Sequence, residues 1–168
     1  MINPLLDAAK VAAGLRVLDV GTGPGHVAIA VARRGARVVA VDASPDMVAL
    51  AGRLHPELDV REAVLPDLPF PDGEFDTVVG NFVVNHLGDP PAGITELRRV
   101  LACGGWLALS CWERRPMRAT AIFDEAVAEA GVAIPEGLPA SSMFRLTRRT
   151  GPGHSANSWQ LPVWRIPR

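Results

Sequence analysis

The residues best suited to chemistry lie in one short run, Val17-Leu18-Asp19-Val20-Gly21-Thr22-Gly23-Pro24-Gly25. Glycines at alternate positions let a backbone turn tightly and lie against a ligand where any β-carbon would clash. Residues 15–20 ahead of them are an apolar run broken by Arg16 and Asp19, which reads as a strand. Residues 25–34 behind them carry Val27, Ala30, Val31 and Arg34 three or four apart, which reads as a helix that Gly35 ends. The start of such a helix offers unpaired N–H groups and suits an anionic group. Asp42 closes the next β-branched run, 37–41, where a carboxylate can accept both hydroxyls of a ribose.

Two ligand classes use this arrangement, and spacing separates them. A dinucleotide fingerprint needs a third Gly or Ala three residues after its second glycine. That position is His26, and the third glycine falls instead at Gly25, a tighter spacing that suits a ligand without a pyrophosphate. The remaining alternative is that the glycines only turn the chain. It leaves unexplained why Asp19 and Asp42 stand at the ends of two neighbouring strands.

The elements that must position these groups alternate. Ser44 is an N-cap with Pro45 in the first helical position, so a helix runs to about residue 54. Residues 58–62 form a weak third strand, and 75–80 a fourth after the Pro-Asp-Gly turn at 71–73. A helix over about 92–102 leads through the turn at Gly104 and Gly105 into a fifth strand, 106–112, and residues 118–130 again read as helix. A further helix is expected near residues 4–13. Continuous apolar strands alternating with helices predict an α/β fold with a doubly wound, mostly parallel, Rossmann-like sheet of about five strands and helices on both faces.

Composition narrows the class. The chain has 168 residues, 48% hydrophobic but only 5% aromatic, and a net charge of -1. That is enough apolar surface for a core of Ala, Val and Leu, and no excess of positive charge for nucleic acid or an anionic membrane. Cys103 and Cys111 match no zinc spacing, so no metal is expected, and no apolar run approaches a membrane span. A cytoplasmic setting follows. All 18 acidic residues lie at or before Glu136, while five arginines and four prolines crowd the remainder. The expected division is a domain over 1–136 and an irregular basic tail over 137–168.

Beyond the glycine loop, four further segments carry a family resemblance. They are Asp42-Ala43-Ser44-Pro45-Asp46-Met47, Leu68-Pro69-Phe70-Pro71-Asp72-Gly73-Glu74-Phe75-Asp76, Glu96-Leu97-Arg98-Arg99-Val100-Leu101, and Gly104-Gly105. In this order and spacing the chain resembles class I S-adenosylmethionine-dependent methyltransferases, and more narrowly the small-molecule group of type 11 or ubiquinone/menaquinone methyltransferases. The resemblance implies S-adenosylmethionine as cofactor and in-line methyl transfer to a small-molecule acceptor. It implies that Gly21, Thr22, Gly23 and Gly25 pass under the cofactor, with Asp19 bracing the loop near the methionine ammonium. Asp42 would take the ribose hydroxyls, Ala43 or Met47 would contact the adenine, and Gly80 and Asn81 would line the methionine end.

Some positions depart from the family pattern. Many members carry an Asp four residues before the Leu-Pro-Phe, facing the adenine amino group; Val64 stands there, with Glu62 two residues earlier. Backbone N–H groups near Val64 and Leu65 remain to read the ring. His86, after the fourth strand, is the candidate base, needed only if the acceptor must lose a proton. The run Asn81-Phe82-Val83-Val84 lacks the Pro-Pro-aromatic pattern of enzymes that methylate base amino groups. The family's sheet closes with two more strands, one antiparallel. Residues 132–168 offer only 159–166 for this, interrupted by Pro162, so the final hairpin is expected to be lacking and the fifth strand to keep an open edge. Two alternatives to an active enzyme remain: a degenerate, non-catalytic cofactor-binding domain, and a NAD(P)-binding protein.

Overall fold

Apolar, largely β-branched runs with no polar alternation must be covered on both faces, and they are. The computed structural model of the chain describes residues 2–110 and 163–165. In chain order these are α1 (Ile2–Ala8), β1 (Arg16–Val20), α2 (His26–Arg33), β2 (Arg37–Asp42), α3 (Pro45–Leu54), β3 (Asp59–Glu62), β4 (Phe75–Asn81), a 3₁₀ turn (Val84–His86), α4 (Pro90–Arg99), β5 (Leu101–Ser110) and β6 (Val163–Arg165). The sheet order is β3-β2-β1-β4-β5-β6, with β1 to β5 parallel. Chain direction across the sheet reverses between β1 and β4. In open sheets of this kind ligands bind in the crevice at that point, beyond the carboxyl ends of the strands.

Strand alternation sends neighbouring side chains to opposite cores. Val17 and Val79 join Leu5, Leu6, Val27 and Val31 on the face covered by α1 and α2. Leu18, Val20 and Val78 join Leu97, Phe70, Phe75 and Leu109 on the face covered by α4. The doubly wound architecture expected from the sequence is therefore present, with its small aliphatic core.

Three boundaries differ from expectation. Helix α1 stops at Ala8 because Lys10 takes a left-handed conformation (φ 55) and Val11 N–H bonds back to the Leu6 carbonyl. That is a helix-terminating motif that usually shows a glycine. Gly104 and Gly105 are not a turn before β5 but a bulge inside it. Leu101 pairs with Phe75 and Trp106 with Thr77, so residues 102–105 loop out opposite Asp76. A β-carbon at Gly105 would come within 2.8 Å of the Ala102 and Asp76 carbonyl oxygens. The edge of β5 is also not open along its length. Residues 163–165, which begin just after Pro162, pair antiparallel with Trp106, Leu107 and Ala108. The helix expected over 118–130 and the domain boundary at 136 lie outside the described residues.

Candidate functional site

The loop after β1 is held mainly by its own neighbours. Val41, near the end of β2, accepts at its carbonyl from Gly21 N–H (2.9 Å) and Thr22 N–H (3.0 Å), and Gly25 N–H donates to the Thr22 carbonyl (3.0 Å). Gly23 N–H donates to Asp42 Oδ2 at 2.8 Å, while Ser44 N–H donates to Asp42 Oδ1 at 3.0 Å. With Pro24 lacking an N–H, every backbone donor from Gly21 to Gly25 is engaged within the protein. Each Asp42 oxygen accepts one of these bonds and keeps a second acceptor position.

Beneath the loop, the Asp19 carboxylate is fully buried. Thr22 Oγ donates to its Oδ2 at 2.7 Å, and its Oδ1 has no partner. Burial pushes its pKa from 3.8 up to about 7, opposed by the Thr22 hydroxyl and reinforced by the charge of Asp42. Asp19 therefore sits below the start of α2 as a buried acid whose ionisation burial opposes, where the sequence suggested room for a ligand anion. Its burial keeps it from the surface of the crevice.

The three glycines are needed for different reasons. Gly21 (φ 67) has Val83 against it, and a β-carbon there would lie 2.6 Å from Val83 Cγ2. Gly25 (φ 86) has His55 against it, at 2.9 Å from such a carbon. At Gly23 (φ 54) the same carbon would meet nothing within 4 Å, so this glycine faces open space. It is the point where another molecule can lie on the backbone.

The other expected residues lie on β2, β3, β4 and the segments that follow them. Ser44 caps α3 by accepting from Met47 N–H, leaving Ala43 and Met47 exposed beside Asp42. Val64 is exposed and Leu65 half-buried, and the Asp67 amide bonds to the Val64 carbonyl in a tight turn. Glu62 ends β3 opposite Asp42. At the end of β4, Asn81 Oδ1 accepts from Ser110 Oγ (2.6 Å), and that hydroxyl accepts from Phe82 N–H (3.0 Å). His86 is exposed in the 3₁₀ turn beyond. His26 is exposed too, its ring edge-on to His55 at 6.5 Å. The residues assigned to ribose and loop are thus gathered at one end of the sheet, and Asn81 lies at the same end.

One contributor was not foreseen as such. Arg99 on α4 donates to the carbonyls of Phe70 (2.8 Å) and Leu68 (3.1 Å), to Asp72 (2.7 Å) and to Glu96. Glu96 Oε1 in turn accepts from Leu68 N–H at 2.9 Å. This guanidinium ties down the segment 68–72. Arg99 holds Glu96 below the usual carboxylate range, mainly through its hydrogen bond to that carboxylate. The signal was present in the Glu96-Leu97-Arg98-Arg99 motif, but the sequence does not show which arginine faces inward.

An adenosyl sulfonium fits these residues. Gly23 offers an open backbone surface, and Asp42 offers free acceptor positions and a negative charge on a half-exposed carboxylate, which suits a cation. Among the described residues no group of three metal-ligating side chains occurs, and no helix is long and apolar enough to cross a membrane.

Comparison with known proteins agrees. The family described as "Methyltransferase domain" matches residues 18–109, more than half of the chain, and the chain belongs to it. A ubiquinone biosynthesis O-methyltransferase of Cereibacter sphaeroides is 40% identical over 108 residues, 61% of this chain and 43% of that protein. Among solved structures, the YcgJ protein of Bacillus subtilis superposes with a TM-score of 0.65 at 26% identity, covering 76% of this chain and 57% of that one. An S-adenosylmethionine dependent methyltransferase of Mesorhizobium loti gives a TM-score of 0.59 at 25% identity, covering 65% and 52%. The chain spans less than half the length of these curated relatives.

Proposed function

We propose that this chain carries the cofactor half of an S-adenosylmethionine-dependent methyltransferase acting on a small-molecule acceptor. The observation that supports it most is the engagement of every loop amide from Gly21 to Gly25 by the protein itself, with a buried acid at the start of α2. A pyrophosphate needs free amides and a positive helix start. A neutral ribose bearing a cationic sulfur needs an acceptor and negative surroundings. This contrast also disfavours the NAD(P)-binding alternative.

In this reading Asp42 accepts from the ribose hydroxyls through charge-assisted hydrogen bonds. Ala43 and Met47 give apolar contact to the adenine, and the backbone at Val64 and Leu65 borders it. Gly23 admits the cofactor to van der Waals contact, while Asp19 and Thr22 keep the loop in shape. Gly80 and Asn81 border the methionine end. The bound cofactor supplies an activated methyl on a good leaving group, so the protein's main contribution is in-line positioning in a dry cleft. His86, on the turn beyond β4, is the group placed to take a proton from an acceptor that must lose one. The relatives named for quinone biosynthesis make a phenolic or quinol-like acceptor the first class to try.

Calorimetry with S-adenosylmethionine, S-adenosylhomocysteine and NAD tests the reading. Saturable binding of the first two and none of the third is expected. Absence of heat at millimolar S-adenosylhomocysteine would favour the degenerate-domain alternative, and binding of NAD alone would overturn the assignment.

A further inference from the structure

The point where the winding reverses, between β1 and β4, is walled by two glycines, and one side chain, Val83, lies against both. Gly21 follows β1 and Gly80 lies near the end of β4. Val83 Cγ2 lies 2.6 Å from where a β-carbon of Gly21 would stand, and its Cγ1 lies 2.7 Å from that of Gly80. The isopropyl group therefore straddles both strands' ends. It is held there by an unusual backbone: Phe82 adopts φ 64, a left-handed conformation that bulky residues rarely take. The turn is pinned because Phe82 N–H donates to both the carbonyl and the hydroxyl oxygen of Ser110, each at 3.0 Å. Strained, over-determined backbone of this kind concentrates at functional sites.

We infer that Val83 is a specificity-determining residue that sets the room available to the substituent on the cofactor's sulfur. The inference rests on the proposed function and deepens it. Asp42 on β2 anchors the ribose in that reading, and Gly80 on β4 lies two strand spacings away, roughly 9–10 Å. The part of the ligand beyond the ribose must therefore cross β1 at Gly21 and approach Val83. Val83 is half-buried and packs against the core face that includes Val84 and Leu109, so it cannot swing aside without opening that packing. A side chain wedged between two backbones is a fixed gauge.

The test compares S-adenosylmethionine with its S-ethyl analogue, S-adenosylethionine, by calorimetry on the full chain and on Val83→Ala and Val83→Ile. Wild type is expected to prefer the methyl compound. Val83→Ala should shift the ethyl-to-methyl affinity ratio toward ethyl by about 4-fold or more, the worth of one buried methylene. Val83→Ile should shift it the other way by a similar factor. S-Adenosylhomocysteine, which lacks the substituent, reports the remainder of the cleft and should change less than either. Binding of S-adenosylhomocysteine by all three proteins with an unchanged ethyl-to-methyl ratio overturns the role of Val83 alone. Failure of wild type to bind S-adenosylhomocysteine overturns the parent reading and this inference with it. Because the two variants move packing in opposite directions, a ratio that shifts the same way in both reports general loosening and also counts against the gauge.

Discussion

Replacing Asp19 by Asn should remove a loss of stability that grows as pH rises. The Asp19 carboxyl is fully buried, with one oxygen bonded to Thr22 and the other without a partner. Burial raises its pKa from 3.8 to about 7, so between those values the folded chain holds a proton that the unfolded chain has lost. Stability from this group is therefore complete below about pH 4 and falls as pH rises toward 7, after which it is constant. A shift of about three units, at about 1.4 kcal/mol per unit, makes the total change roughly 4 kcal/mol. Asn keeps the acceptor for the Thr22 hydroxyl and cannot ionise. Urea unfolding of the ligand-free chain and of Asp19→Asn from pH 4 to pH 8 should show the variant gaining on the parent by that order. Asp59, Asp76 and Glu96, each held below the usual range mainly by an arginine hydrogen bond, pull stability the opposite way in acid. They are common to both proteins and cancel in the difference. A difference that stays flat across this range would refute the argument that Asp19 is desolvated beneath the loop.

Other expectations follow from the same site. Asp42→Ala should weaken S-adenosylhomocysteine binding by about 1.5–3 kcal/mol, as loss of charge-assisted hydrogen bonds does, and an unchanged affinity by calorimetry removes the ribose role. Arg99→Met should release the 68–72 segment. Hydrogen exchange at the Leu68 and Phe70 amides should quicken while β1 and β4 amides stay protected, and uniform loss of protection would instead mean general unfolding. His86→Asn should lower turnover with a phenolic acceptor by about 10²-fold or more while leaving cofactor affinity unchanged. Turnover equal to the parent places proton removal elsewhere.

Much of the arrangement was legible in the chain because its cues are local. Apolar runs at 16–20, 37–42 and 75–81 are too unalternating for a one-sided sheet, and Ser44-Pro45 and Gly35 mark helix ends by their own chemistry. The glycine loop and Asp42 could be assigned together because β1 and β2 are consecutive parallel strands, whose ends must be neighbours. Lys10 hid the end of α1, since a lysine in a left-handed conformation has no residue-type signature. The bulge at residues 102–105 was hidden likewise, because two glycines read equally as turn or bulge until the β4 partner fixes the register.

What the sequence alone determined is the family, the order of elements and the identity of the loop and its acids, since spacing along the chain carries all of these. What only the tertiary structure decided is how those groups are used. Whether a loop amide is free depends on the Val41 carbonyl and the Asp42 carboxylate, 19 or more residues away. That Gly21 and Gly25 serve the protein's own packing, leaving Gly23 to face open space, depends on Val83 and His55. Burial and hydrogen-bond partnership are properties of atoms brought together by folding, and no spacing along the chain records them.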